Sequence, residues 1–148
     1  MEMNEAIETI QMQKSYLASL GKQLEYMERS IMEHSLAKTT LEGMQGTEVG
    51  TEMLIPVGGA TKVFVTLRKV STVIVSIGSG VEMEMPLAEA IDHHSSTVNR
   101  LTQDKAKLEE KYKELETSTM ALSNAVEQAY AKQMQNPGMG PMGPQDIM

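Results

Sequence analysis

Cysteine is absent from the 148-residue chain, and with it go every disulfide framework, thiolate zinc site and cysteine nucleophile. That absence fits a reducing interior. Trp is absent as well, and one Phe with four Tyr supplies too little bulky apolar surface for a conventional globular core, which disfavours a compact enzyme. No stretch approaches the ~20 consecutive apolar residues of a membrane span. Met1-Glu2-Met3-Asn4-Glu5 is acidic and polar where a secretory signal is basic and then apolar, so a soluble, cytoplasmic protein is expected. The formal net charge is −7, with no Lys or Arg run. Such a chain repels phosphate backbones and anionic lipid, so neither nucleic acid nor membrane is an expected partner. What the chain has in excess is Met, fourteen of them, the flexible side chain that fills irregular seams in place of Leu and adapts to varied apolar partners.

From Met3 onward apolar residues recur three and four apart, at Met3, Ala6, Ile10, Leu17, Leu20, Leu24, Met27, Ile31 and Leu41. This is a heptad seam, interrupted at Gln13, His34 and Lys38. The stripe is narrow, as one partner helix requires. Gly43 and Gly46 are expected to end the helix. A second run opens at Pro86, suited to a first helical position, and reaches about Asn136-Pro137. Its seam is Leu87, Ile91, Val98, Leu101, Leu108, Tyr112, Leu115, Leu122, Val126 and Ala129, with His94, Lys105, Thr119 and Gln133 as polar exceptions. At about 1.5 Å per residue the helices reach on the order of 60 and 70 Å, which predicts a projecting arm.

If both helices spring from the segment between them, they run antiparallel. Counting outward from Leu41 opposite Ile91, Lys38 meets His94, Ile31 meets Leu101, Leu24 meets Leu108, Leu17 meets Leu115 and Gln13 meets Thr119. Two polar interruptions are thereby answered by polar partners, which lowers their burial cost and penalises slipped registers. His34 opposite Val98 and Lys105 opposite Met27 are left unmatched.

Between the helices the period changes to two, in Met53–Val57, Lys62–Leu67, Thr72–Ile77 and Val81–Met85, which predicts four strands. Gly58-Gly59-Ala60-Thr61 and Gly78-Ser79-Gly80 punctuate them as hairpin turns. Fewer than ~40 residues of sheet cannot bury a self-sufficient core, and open β-branched edges are adhesive. A barrel closes at about eight strands, so this segment is expected to borrow strands from other chains. Val63, Val65, Val73, Val75 and Ile77 are the candidate oligomerisation residues. The organisation is thus a helix over 1–45, two hairpins over 46–85, a helix over 86–135 and a disordered Gly/Pro/Met tail over 136–148. The fold class is α+β: a long antiparallel two-helix coiled coil with two central β-hairpins that assemble into an oligomeric β-barrel body.

Catalytic machinery is not legible. No G-x-x-x-x-G-K-[ST] loop occurs, so no nucleotide cycle is inferred. Ser79 lies between glycines in a turn and lacks the strand-to-helix setting of a nucleophile. Adjacent His93 and His94 diverge by about 100° on a helix. His34 stands within reach of the Val98 and His94 layers, but no third ligand accompanies it, so a partly buried polar layer is expected and no metal site. The acidic pairs Glu109-Glu110 and Glu114-Glu116 read as a solvated face pairing with Lys105, Lys111 or Lys113. No cofactor is implied.

Two heptad helices flanking Glu52-Met53-Leu54-Ile55-Pro56-Val57-Gly58-Gly59 and Val73-Ile74-Val75-Ser76-Ile77-Gly78-Ser79-Gly80-Val81-Glu82 closely resemble the alpha-class subunits of archaeal prefoldin. The resemblance spans nearly the whole chain, and four strands favour alpha over the beta class, whose members carry one hairpin. It implies a heterohexamer of two alpha and four beta-type subunits, whose strands supply two barrels of about eight each. It also implies an ATP-independent holdase that captures unfolded client proteins and delivers them to a group II chaperonin. A structural coiled-coil scaffold or a filament-forming prefoldin-like subunit is the alternative, and a small-ligand or metal-binding enzyme a more distant one. At the free ends of the helices the apolar stripe broadens. Met3, Ile7, Ile10 and Met12 on one helix, with Leu122, Val126, Tyr130 and Met134 on the other, are the candidate client-binding residues, because excess exposed apolar surface marks an interaction site.

Overall fold

A computed structural model describes residues 1–135. The expected disordered tail lies outside the described residues. Helix α1 spans Met3–Met44, strands β1 to β4 span Glu52–Gly58, Thr61–Thr66, Thr72–Gly78 and Val81–Pro86, and helix α2 spans Leu87–Gln135. The chain divides into two compact units. One pairs residues 1–26 with the chain from 105 onward, and the other is Met27–Asp104.

The first unit is an antiparallel helix pair. On α1 the covered positions Met3, Ala6, Ile10, Gln13, Leu17, Leu20 and Leu24 recur three and four apart while the residues between them are mostly exposed, as a narrow heptad stripe dictates. On α2 they are Lys105, Leu108, Tyr112, Leu115, Thr119, Leu122 and Val126. The register is pinned by Thr119, 5% exposed, whose hydroxyl oxygen lies 2.9 Å from Gln13 Oε1 and 2.7 Å from the Leu115 carbonyl oxygen. A hydroxyl carries one proton. It serves Leu115, and a half-turn of the Gln13 carboxamide presents an NH2 group to the hydroxyl, which satisfies every member. Counting out from that layer sets Leu17 opposite Leu115, Ile10 opposite Leu122 and Met3 opposite Ala129, the register expected from the heptads. Lys105 pairs with Glu109 at 3.4 Å one turn on, as the solvated-face reading predicts.

The second unit joins the adjoining parts of both helices to the hairpins. β1 pairs antiparallel with β2, Leu54 opposite Phe64 and Ile55 opposite Val63. β3 pairs with β4, Val73 opposite Met85 and Val75 opposite Met83. The hairpins are separate two-stranded sheets. Each turns through a glycine bulge followed by two left-handed residues: Gly58 at φ 105, then Gly59 and Ala60, and Gly78 at φ 107, then Ser79 and Gly80. Paired positive φ values match the right-handed twist of the strands. Lys69 Nζ and Thr72 Oγ1 each donate to Glu84 Oε1 at 2.7 Å, tying the link between hairpins to β4. These two hydrogen bonds, from Lys69 first and Thr72 second, with the Lys69 charge added, hold the exposed Glu84 carboxyl below its ordinary range.

The core of this unit is Val75, Met85 and Ala90, with Leu41 and Val73 packed against it. Ala90 is 0% exposed, and its methyl group lets the second hairpin lie close on α2. Two helix boundaries differ from expectation. Pro86 closes β4, opposite Thr72, and α2 starts at Leu87, whose N–H donates to the Ser71 carbonyl at 3.1 Å. The strand continues to the last residue with a cross-strand partner, and Pro tolerates such a terminal position. Gly43 stays inside α1, and only Gly46, at φ 79, takes the left-handed backbone that stops a helix.

The turns yield a prediction. A Cβ at Gly58 or Gly78 meets nothing within 4 Å, so only backbone strain opposes it. Gly78→Ala should lower stability by about 1–2 kcal/mol, whereas Ala60→Gly, relieving a left-handed Ala, should raise it by up to about 1 kcal/mol. Denaturant unfolding followed by circular dichroism measures both.

Candidate functional site

At the free end of the helix pair the register leaves α2 longer than its partner. Met3, the first residue of α1, stands opposite Ala129, so everything on α2 beyond that layer lacks a facing turn. Ala129, in that last paired layer, and Gln133, one turn beyond it, both assigned to the seam from the heptads, are exposed. The two helix ends enclose a groove of about 300 Å³ lined by Met1, Met3, Ala6, Leu122, Ala125, Val126 and Ala129, without a charged side chain among them. Ala6 and Ala125 are small, and their short side chains open the space between the larger ones.

The expected client-binding residues divide into three groups. Met3, Leu122 and Val126 line this groove, while Ile10 is buried one layer in and offers no surface as it stands. Ile7, Tyr130 and Met134 are exposed beside the seam. Met12, 72% exposed, lies apart with Glu8, Gln11 and Ser15 on the outer side of α1. Met1, Ala6, Ala125 and Ala129 are not among the expected client-binding residues, although Ala6 and Ala129 are themselves seam positions and Ala125 adjoins Val126.

The second unit exposes a different apolar surface. One face of the first hairpin is apolar, with Met53, Ile55, Val63 and Val65, and the other carries Leu54 and Phe64 between the polar Glu52, Thr66 and Lys62, with Phe64 72% exposed. Val63 and Ile77 are exposed and Val65 is half-buried. Val75 and Val73 pack inside the chain's own core, a placement the alternating pattern alone does not distinguish from an outward one.

His34 and His94 form the polar layer of the second unit. Their Nδ1 atoms lie 2.9 Å apart, ring centres 5.1 Å apart with planes tilted 43°, and His93 packs edge-on against His94 at 5.4 Å. Heptad counting sets Lys38 against His94. Instead Lys38, half-buried, extends to Glu42 on its own helix at 3.9 Å, because a long ammonium side chain reaches water at little cost and leaves the imidazole to its neighbour one turn away. Among the described residues no group of three or more His, Cys, Asp or Glu is placed to hold a metal ion, and no helix is long and apolar enough to cross a membrane.

Burial, reinforced by the charges of His34 and then His93, lowers the pKa of His94 below its ordinary 6.5. Glu33, from α1, is the acid that lines the groove beside His94, and β3 faces that groove only with Val73, Ile74 and Val75. The unfolded chain then binds the proton more tightly than the folded one, so this contribution to stability is complete above about pH 6.5 and declines as pH falls through that value. Melting temperature should drop between about pH 7.5 and 5.5, and His94→Asn should flatten that part of the profile.

The fold and sequence have known counterparts. The family model described as prefoldin subunit matches residues 13–132. A prefoldin subunit alpha of Methanoregula boonei is 31% identical over 96% of this chain and 92% of its own. One from Archaeoglobus fulgidus is 29% identical over 72% of this chain and 78% of its own. A chain of a filamentous PFD from Methanocaldococcus jannaschii, solved by cryo-electron microscopy, superposes with TM-score 0.66 at 21% identity, covering 79% of this chain and 97% of that one. With two seam helices, two inserted hairpins and a family match over most of its length, this chain belongs to the prefoldin subunit family.

Proposed function

We propose that the chain is the alpha-type subunit of an ATP-independent, cytoplasmic holdase, assembled through its hairpins with beta-type subunits in a two-to-four ratio. In this reading it captures unfolded polypeptides at the helix ends and passes them to a group II chaperonin. The observation that carries the reading is the apolar groove where α2 outruns α1, with Ile7, Tyr130 and Met134 exposed beside it. A helix pair that served only to pair would end its apolar stripe where its partner ends. Apolar contacts contribute about 25 cal/mol per Å² and make no directional demand, so the surface accepts many sequences weakly. Several such ends around one client add through effective concentration, which makes capture broad and release easy. Assembly follows from the first hairpin, which leaves Leu54, Ile55, Val63 and Phe64 exposed and pairs with no third strand among the described residues. A scaffold or filament subunit would use the same hairpins and leave the helix ends idle.

Two experiments test this. Changing Ile7, Tyr130 and Met134 together to Ser removes on the order of 1 kcal/mol of apolar burial per site. Suppression of aggregation of a chemically unfolded protein should therefore weaken by roughly tenfold or more per chaperone, with the oligomer intact by native mass spectrometry. Undiminished protection would exclude the helix ends from capture. Changing Leu54 and Phe64 to Ser should shift the native mass spectrum toward smaller species while the helical circular dichroism signal persists. An unchanged oligomer would remove that face from the assembly.

A further inference from the structure

The His34–His94 contact supports a function beyond holding two helices in register. We propose that His34 and His94 form a two-imidazole site for a borderline divalent metal ion of the zinc class, one that bridges α1 and α2. Both ligands are neutral nitrogen donors suited to such an ion, and they come from different helices. Their separation fits. With Zn–N distances of about 2.0–2.1 Å, two imidazoles on one tetrahedral ion hold nitrogens about 3.4 Å and ring centres about 5 Å apart. The observed ring centres are already 5.1 Å apart. Only the nitrogens, at 2.9 Å, need to open by tilting each ring about its Cβ–Cγ bond, a soft two-fold torsion.

An ion seated there takes a lone pair from each Nδ1 atom, so the ring that donates its Nδ1 proton across the contact carries its proton on Nε2 instead, and two neutral imidazoles bind without net proton release. The remaining coordination positions fall to water, for which there is room. His94 borders an open groove of about 450 Å³ whose lining includes the Glu33 carboxylate and the Thr40 hydroxyl. No group of three or more His, Cys, Asp or Glu placed to hold a metal exists among the described residues, so the two imidazoles are the protein ligands of this site. Two protein ligands make an exchangeable site, unlike the four-ligand sites that hold structural zinc. The ion clamps one turn of α1 to one turn of α2 within the second unit.

The test uses the full chain in its native assembly with Zn²⁺ alone as probe. Zn²⁺ should raise the melting temperature of the unaltered protein and of His93→Gln, saturating at one ion per chain. His34→Gln and His94→Gln should each lose that rise, with affinity weakened by on the order of tenfold or more. Gln retains hydrogen-bonding groups, so both variants are expected to fold. If either melts without cooperativity, imidazole ¹⁵N shifts in the unaltered protein decide the matter. Joint movement of the His34 and His94 Nδ1 resonances supports the site. No movement, movement of His93 alone, or an unchanged melting rise in His34→Gln overturns it.

Discussion

Each helix of this chain carries one narrow apolar stripe, and a stripe of that width is satisfied by a single partner helix in a single register. Antiparallel pairing fixes which residue stands opposite which all along a unit, so one polar layer constrains many apolar ones. The Gln13–Thr119 contact at 2.9 Å is such a layer. Sliding the helices by one heptad would set Gln13 against Tyr112 or Val126 and Thr119 against Ala6 or Leu20, which removes the contact between them, at about 1–3 kcal/mol for a buried polar group left without its partner. The exposed end of α2 is a consequence of the same register, because Met3 meets Ala129 and the helix runs on to Gln135.

The second unit solves a different problem. Its core is small, built on Val75, Met85 and Ala90, and serves to seat the second hairpin on the helices. The first hairpin pairs only with itself. An isolated two-stranded sheet is marginal in water, and one with Leu54, Phe64, Ile55 and Val63 exposed is more so. Its glycine bulge and left-handed turn residues keep the strands in register without a third strand. The result is an apolar element with an exposed surface, which is the physical argument behind the proposed assembly.

Much of this is legible in the sequence. A period of 3.5 in two long runs and a period of two between them set the element order, and the glycine-bearing turns marked both hairpins. Of the seam positions on α1, all twelve from Met3 to Leu41, polar exceptions included, are buried or half-buried, because heptad spacing leaves them one direction to face. The misreadings cluster where that logic stops. Ala129 and Gln133 keep the spacing, but Ala129 stands in the last paired layer and Gln133 has no partner turn. Ala90 lies off the a/d register yet is the most buried residue of the core, because a hairpin and not a helix covers it.

Spacing of apolar residues along the chain therefore determined the elements and their pairing, since periodicity is a local property that each residue carries with it, and the glycine-bearing hairpin motifs over 52–59 and 73–82 carried the family resemblance. Tertiary structure alone decided which end groups are left uncovered and which polar side chains meet. His34 reaches His94 and Lys38 does not, because adjacent layers of a helix pair lie within a side chain's length of each other. Which diagonal is used then depends on side-chain reach, flexibility and the cost of leaving water. Those quantities are set by three-dimensional neighbours, and no count along the sequence contains them.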